Sequence, residues 1–157
     1  MTRDDFIARF GAIYEHSPHF AAAVWDRGAP ETLGALAQAF RDAVKASGRD
    51  AQLALTRAHP DLAGRLALSK ESAGEQQGAG LNQCTPEEFS AFTELNAAYK
   101  ARFGFPFIVA VRGLDRGAIL AQFRSRVNND PETEFATALE QIHKIAGFRL
   151  RDLFAES

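Results

Sequence analysis

A single cysteine, a single methionine and a single tryptophan in 157 residues set the first limits on this chain. One cysteine cannot close an internal disulfide, so nothing calls for an oxidising compartment and the cytoplasm is the expected location. No stretch approaches the roughly 18 consecutive apolar residues that a membrane span requires. The opening "MTRDDFIARF" is charged and amphipathic, without an apolar leader core or a small-residue cleavage site, so no membrane association is expected. Neither charge sign dominates: 18 Lys and Arg face 20 Asp and Glu for a net charge of −2. Without a basic field to gather phosphates, nucleic acid is not an expected partner. The glycine-rich nucleotide loops, C-x-x-C and G-x-S-x-G are missing as well. "EHSPHF" puts His16 and His19 three apart, but Pro18 intervenes and no third ligand is apparent, so no metal is expected. Cys84 stands beside a helix start with no base near it in sequence and is not read as a nucleophile.

What is present is globular: 46% hydrophobic and 24% charged residues, with 13 phenylalanines. A chain of this length buries roughly two-thirds of its unfolded surface on folding, enough for one independent domain spanning 1–157. Phe6, Ile7, Phe10, Ile13 and Tyr14 recur at helical spacing, and a second apolar stretch, "HFAAAVWDRG", stops at Gly28. Pro30 suits a first helical turn, and the stripe Leu33, Leu36, Phe40 and Val44 predicts a third helix ending near Gly48. "DAQLALTRAHP" predicts a fourth, which cannot comfortably run into Pro60 because proline disfavours α geometry in the residue before it. Thr85 and Glu88 form a capping box with Pro86 at the first helical position, and Gly104 closes that helix. Asp130 followed by Pro131 repeats the start signal for a long C-terminal helix. Between these two, "FGFPFIVAV" has no strand partner and reads as buried irregular chain ahead of a helical "GAILAQFRSRV". The expected fold is all-α, a compact bundle of about seven or eight helices.

Three polar residues interrupt apolar faces. Arg149 is the fifth member of the stripe Phe135, Leu139, Ile142, Ala146, Arg149, Leu153, either pairing with a structural carboxylate or clamping an anionic ligand. Asn96 breaks the stripe Phe89, Phe92, Tyr99, Phe103 and is expected to satisfy backbone groups. His59 sits at a helix end, where a packing or capping role competes with a catalytic one. The polar segment "SKESAGEQQGAGL" that follows is either a solvated connection or a source of adaptable hydrogen bonds.

The ordered set "HPDLAG" at 59–64, "S-x-x-EQ" at 72–76 with "AGL" at 79–81, "LN-x-x-Y-x-x-RFGFPF" at 95–107 and "R-x-x-N" at 126–129 resembles the 2-oxo-4-hydroxy-4-carboxy-5-ureidoimidazoline (OHCU) decarboxylases of urate breakdown. The resemblance implies a compact all-α homodimer that converts OHCU to (S)-allantoin with no metal or organic cofactor. Position by position, it implies a catalytic His59 beside Pro60 and a substrate loop of Ser72, Ala73, Gly74, Glu75 and Gln76. The backbone of Phe107, Ile108, Val109, Ala110 and Val111 is implied to line the pocket, and Arg149 corresponds to the family's late arginine. His59, Glu75 and Arg149 are thus the expected catalytic residues. Eukaryotic members commonly end in a peroxisomal tripeptide, whereas this chain ends "FAES", in keeping with a cytoplasmic enzyme.

The chemistry explains why such residues suit the task. Losing carbon dioxide leaves an electron pair that the substrate's own conjugated C=N can receive, so no external electron sink is needed. Protein groups must hold the leaving carboxylate, bind the ureido and ring N–H groups, and deliver a proton to one face. Histidine both takes and gives protons near neutrality, which suits His59 as donor. Glu75 can accept substrate N–H bonds or fix the imidazole, Gln76 and Ser72 can read ureido and carbonyl groups, and Arg149 can bind anionic oxygens through its fork. A non-catalytic ureide-binding module and a ureide hydrolase in which His59 activates water are the rival readings of the same residues.

Overall fold

The structure, a computed structural model, describes residues 1–60 and 85–156. Seven helices and no strands occur among them: α1 Arg3–Phe10, α2 His19–Asp26, α3 Leu33–Ala46, α4 Arg49–Ala58, α5 Pro86–Phe103, α6 Arg116–Arg126 and α7 Pro131–Ala155. The all-α expectation therefore holds.

Local chemistry explains most of the boundaries. Thr2 and Asp5 cap α1 reciprocally, as Thr85 and Glu88 cap α5, each pair satisfying two of the N–H groups that a helix start leaves over. Asp115 receives the Ala118 N–H at 2.8 Å to open α6, and Asp130 receives the Thr133 N–H at 3.0 Å at the start of α7. Helix α5 ends at Gly104, whose φ of 77° favours a residue without a Cβ. At Gly11, which closes α1, an added Cβ would lie 2.5 Å from the Ile7 carbonyl oxygen, so the turn admits nothing larger. Two expectations need correction. Pro30 does not enter a helix, because α3 starts at Leu33 behind a Thr32 cap. Ile13 and Tyr14 are buried but lie beyond the end of α1, in irregular chain.

The described chain divides into two compact units, Met1–Ala58 with Ile142–Ser157, and His59–Gln141. The first is cored by Phe6, Phe10, Phe20, Phe40, Val44 and Leu150; the Phe6 and Phe40 rings lie 6.4 Å apart and nearly parallel. The Tyr14 hydroxyl meets Nδ1 of His143 at 2.8 Å, so the deepest phenol of this unit keeps a polar partner. The second unit is cored by Phe92, Tyr99, Phe107, Ile119, Phe123 and Ala138. Tyr99 stands at its centre, with the rings of Phe103, Phe105, Phe107 and Phe123 all within 5.9 Å.

Candidate active site

His59 is the first residue past α4 and is buried, with 7% of its surface exposed, while Pro60 beside it is exposed. The helix stops where the residue before proline leaves α geometry, and this fixes the imidazole at the helix mouth. Ser72, Ala73, Gly74, Glu75 and Gln76 lie outside the described residues.

The segment Phe105–Val111 is buried without a break and has no regular secondary structure, as expected. A buried irregular strap must find partners for its peptide groups, and side chains supply two of them here. Arg126 donates from Nη1 to the Ile108 carbonyl oxygen at 2.7 Å, and its guanidinium lies 4.4 Å from the Phe107 ring centroid. The Phe107 ring in turn stacks on Phe123, with centroids 3.8 Å apart. The Ala110 N–H donates to Oε1 of Gln141 at 2.9 Å, and the Val111 carbonyl accepts the Leu114 N–H at 3.0 Å.

Behind the strap is an enclosed polar cluster. The Glu134 side chain is fully buried and Arg126 nearly so, at 7% exposure. Oε1 of Glu134 accepts from Nε of Arg126 at 2.7 Å and from the Tyr99 hydroxyl at 2.6 Å, and Oε2 accepts from Nδ2 of Asn129 at 3.0 Å. Nη2 of Arg126 lies 2.5 Å from Oε1 as an ion-pair contact, without hydrogen-bond geometry. Burial, and then the hydrogen bond to the Glu134 carboxylate, push the Tyr99 hydroxyl far above the usual phenol range, so it stays protonated and donates to that carboxylate. Tyr99, Arg126, Asn129, Glu134 and Gln141 had no site role in the sequence reading. The available signals were the R-x-x-N motif of Arg126 and Asn129 and the need of a tyrosine on a buried stripe for a partner to its hydroxyl.

Arg149 belongs to the other unit. Its Nη2 reaches Oε1 of Glu15 at 2.7 Å, and Nη1 approaches the carbonyl oxygens of Ile13 at 3.3 Å and Ala12 at 3.5 Å. The side chains are 29% and 23% exposed, so the inward-facing arginine of the stripe is a partly solvated ion pair. Two further expectations are corrected. Phe89 does not join the buried stripe of α5, being 42% exposed, and Oδ1 of Asn96 is buried without accepting a hydrogen bond from any described residue. His16 and His19 are both exposed, and no group of three or more metal-ligating side chains occurs among the described residues.

The sequence model of OHCU decarboxylases matches residues 1–151. The chain belongs to the OHCU decarboxylase family. Its relatives include the 2-oxo-4-hydroxy-4-carboxy-5-ureidoimidazoline decarboxylase of Haloferax volcanii, 40% identical over 152 residues that cover 97% of this chain and 90% of that one. The protein of the same name from Mus musculus is 39% identical, over 98% of this chain and 88% of its own. Among crystal structures, an (S)-allantoin synthase superposes with a TM-score of 0.81 at 36% identity, covering 98% of this chain. The present chain spans about half the length of that protein, 51% of it. An OHCU decarboxylase crystallised in the presence of (S)-allantoin superposes with a TM-score of 0.74 at 24% identity, over 97% of this chain and 98% of its own, which supports the shared fold. The family is one of carboxy-lyases, and no helix among the described residues is long and apolar enough to cross a membrane.

Proposed function

We propose that the chain acts as a cytoplasmic, homodimeric OHCU decarboxylase, a single domain of residues 1–157 that yields (S)-allantoin without metal or organic cofactor. The observation carrying this reading is the match of residues 1–151 to the OHCU decarboxylases. In the proposed reaction the carboxylate carbon leaves as carbon dioxide and its bonding pair moves into the conjugated C=N of the ring. A proton from His59 then reaches one face. Glu75, with Ser72 and Gln76, holds N–H and carbonyl groups of the substrate beside Pro60, Ala73 and Gly74, and the backbone of Phe107–Val111 walls the pocket. A dry wall of this kind strengthens each hydrogen bond to the ligand. Freshly prepared OHCU mixed with EDTA-dialysed protein tests the reading. The expected result is carbon dioxide released in step with allantoin of one hand, detected by circular dichroism, with added zinc or manganese having no effect. Hydrolysis without carbon dioxide would favour the hydrolase, binding without turnover would favour the ureide-binding module, and activity restored only by metal would overturn the cofactor-free scheme.

Arg149 is proposed to hold anionic oxygens of the substrate, which requires it to share or exchange the Glu15 carboxylate. The pair is partly exposed, so its net contribution to stability is about 1 kcal/mol or less. Arg149→Gln is therefore expected to raise KM while the melting temperature stays within a few degrees of the parent. Kinetics and melting on that variant decide the point: marked destabilisation with an unchanged KM removes Arg149 from the site.

A further inference from the structure

The polar clamps on the strap fall on two consecutive peptide units. A trans peptide is planar, and its C=O and N–H leave opposite edges of the plane. The Ile108 carbonyl shares its plane with the Val109 N–H, and the Ala110 N–H shares its plane with the Val109 carbonyl. Arg126 grips the first plane by the Ile108 oxygen at 2.7 Å, and Gln141 grips the second by the Ala110 nitrogen at 2.9 Å. Each grip orients the group on the far edge. Both far-edge groups belong to Val109, a residue 5% exposed whose N–H and C=O form no hydrogen bond with any described residue. Buried peptide groups are ordinarily paired, so a donor and an acceptor left over on one residue in this way call for a partner carrying the opposite pair. A ureido group or a cyclic amide edge carries one: an N–H beside a carbonyl.

We propose that Arg126 and Gln141 are positioning residues that aim the Val109 N–H and C=O at the amide edge of the substrate. The inference rests on the reading of Phe107–Val111 as the pocket wall and names the element of that wall that reads the ligand. Arg126 is itself fixed by Glu134 and by the Phe107 ring, so the first plane has a rigid mount. Gln141 is a neutral side chain on α7 that takes no part in the Arg126–Glu134 pair, which makes the second plane the one that can be perturbed without opening the buried ion pair.

Steady-state kinetics of the full-length wild type, Gln141→Leu and Gln141→Glu, with carbon dioxide release as the assay, test the proposal. Gln141→Leu is expected to raise KM roughly ten-fold, about the effect of a misdirected buried hydrogen bond. Its kcat should stay within about two-fold and its melting temperature within a few degrees. Gln141→Glu keeps an acceptor oxygen and should recover most of the loss. An unchanged KM in Gln141→Leu, or equal defects in the Leu and Glu variants, overturns the proposal, as does a loss seen only in melting temperature. Valine-selective 15N spectra of the wild type with (S)-allantoin give a second readout that does not depend on the Gln141 variants. The Val109 amide, assigned by its disappearance in Val109→Ala, should shift on addition, and an unmoved signal refutes the aim. A wild type that releases no carbon dioxide defeats the functional reading and this inference together, whereas an active wild type with indifferent variants defeats this inference alone.

Discussion

Replacing His59 by asparagine is expected to leave the protein folded and to lower kcat roughly 10²- to 10⁴-fold, the usual worth of a positioned general acid or base. The residue follows the last turn of α4 and no helix has to pass through it, so the substitution interrupts no backbone ladder. Asparagine approximates the reach of the imidazole and retains a donor and an acceptor, which separates hydrogen-bonding capacity from proton transfer. If His59 only packs against its surroundings, the variant melts lower and turns over normally. If it delivers the proton, the variant melts near the wild type and turns over poorly. Retention of more than about a tenth of the turnover by a well-folded variant places the proton donor elsewhere.

The largest stability effect is expected at Glu134. Its carboxylate is fully buried and receives Arg126, Tyr99 and Asn129, so Glu134→Ala leaves a buried guanidinium uncompensated together with a phenol and an amide without their acceptor. Removing one partner of a buried pair costs about 3–5 kcal/mol. For a chain of this size that corresponds to a fall in melting temperature on the order of 10 °C. Glu134→Gln, which keeps an acceptor of the same shape, should fall between the variant and the parent. The same cluster dictates an alkaline limit. Tyr99 is held protonated in the fold, whereas an unfolded tyrosine ionises at about pH 10, so stability is intact below that pH and declines as pH rises above it. Thermal melts of wild type and both variants at neutral and alkaline pH check these expectations; a Glu134→Ala protein that melts with the parent would show that the pair contributes nothing net.

The parts of the fold legible in the sequence are those governed by neighbours along the chain. The capping box at Thr85 and Glu88, the stop at Gly104 and the end of α4 before Pro60 each depend on residues within one helical turn, and each stands where expected. The buried strap was legible from its unbroken apolar run. What escaped depends on distant partners. Arg149 could be placed on an inward face by periodicity, but its carboxylate lies 134 residues away, a separation on which spacing is silent. Periodicity also overstated α5: it counted Phe89 into a buried stripe, but this first-turn residue remains largely exposed. Arg126 and Asn129 were visible as a motif, yet their acceptor, Glu134, sits one helix onward and the group that Arg126 orients is the backbone of Ile108. The chemical identity of a hydrogen-bonding backbone atom leaves no mark in composition, which is why the clamps on the strap were not legible before the structure.

The chain's one tryptophan, Trp25, lies with its ring 5.4 Å from Phe6 in the unit formed by Met1–Ala58 and Ile142–Ser157. Of the two tyrosines, Tyr14 shares that unit and Tyr99 is the buried centre of the other. Tryptophan emission therefore watches one half of the molecule, while the half holding His59, the strap and the Glu134 cluster is optically represented by Tyr99 alone. Loosening confined to the half without tryptophan would not register in a denaturation curve followed by tryptophan fluorescence, and coincidence with a tyrosine absorbance or amide-exchange curve is the condition under which a single unfolding free energy describes this protein.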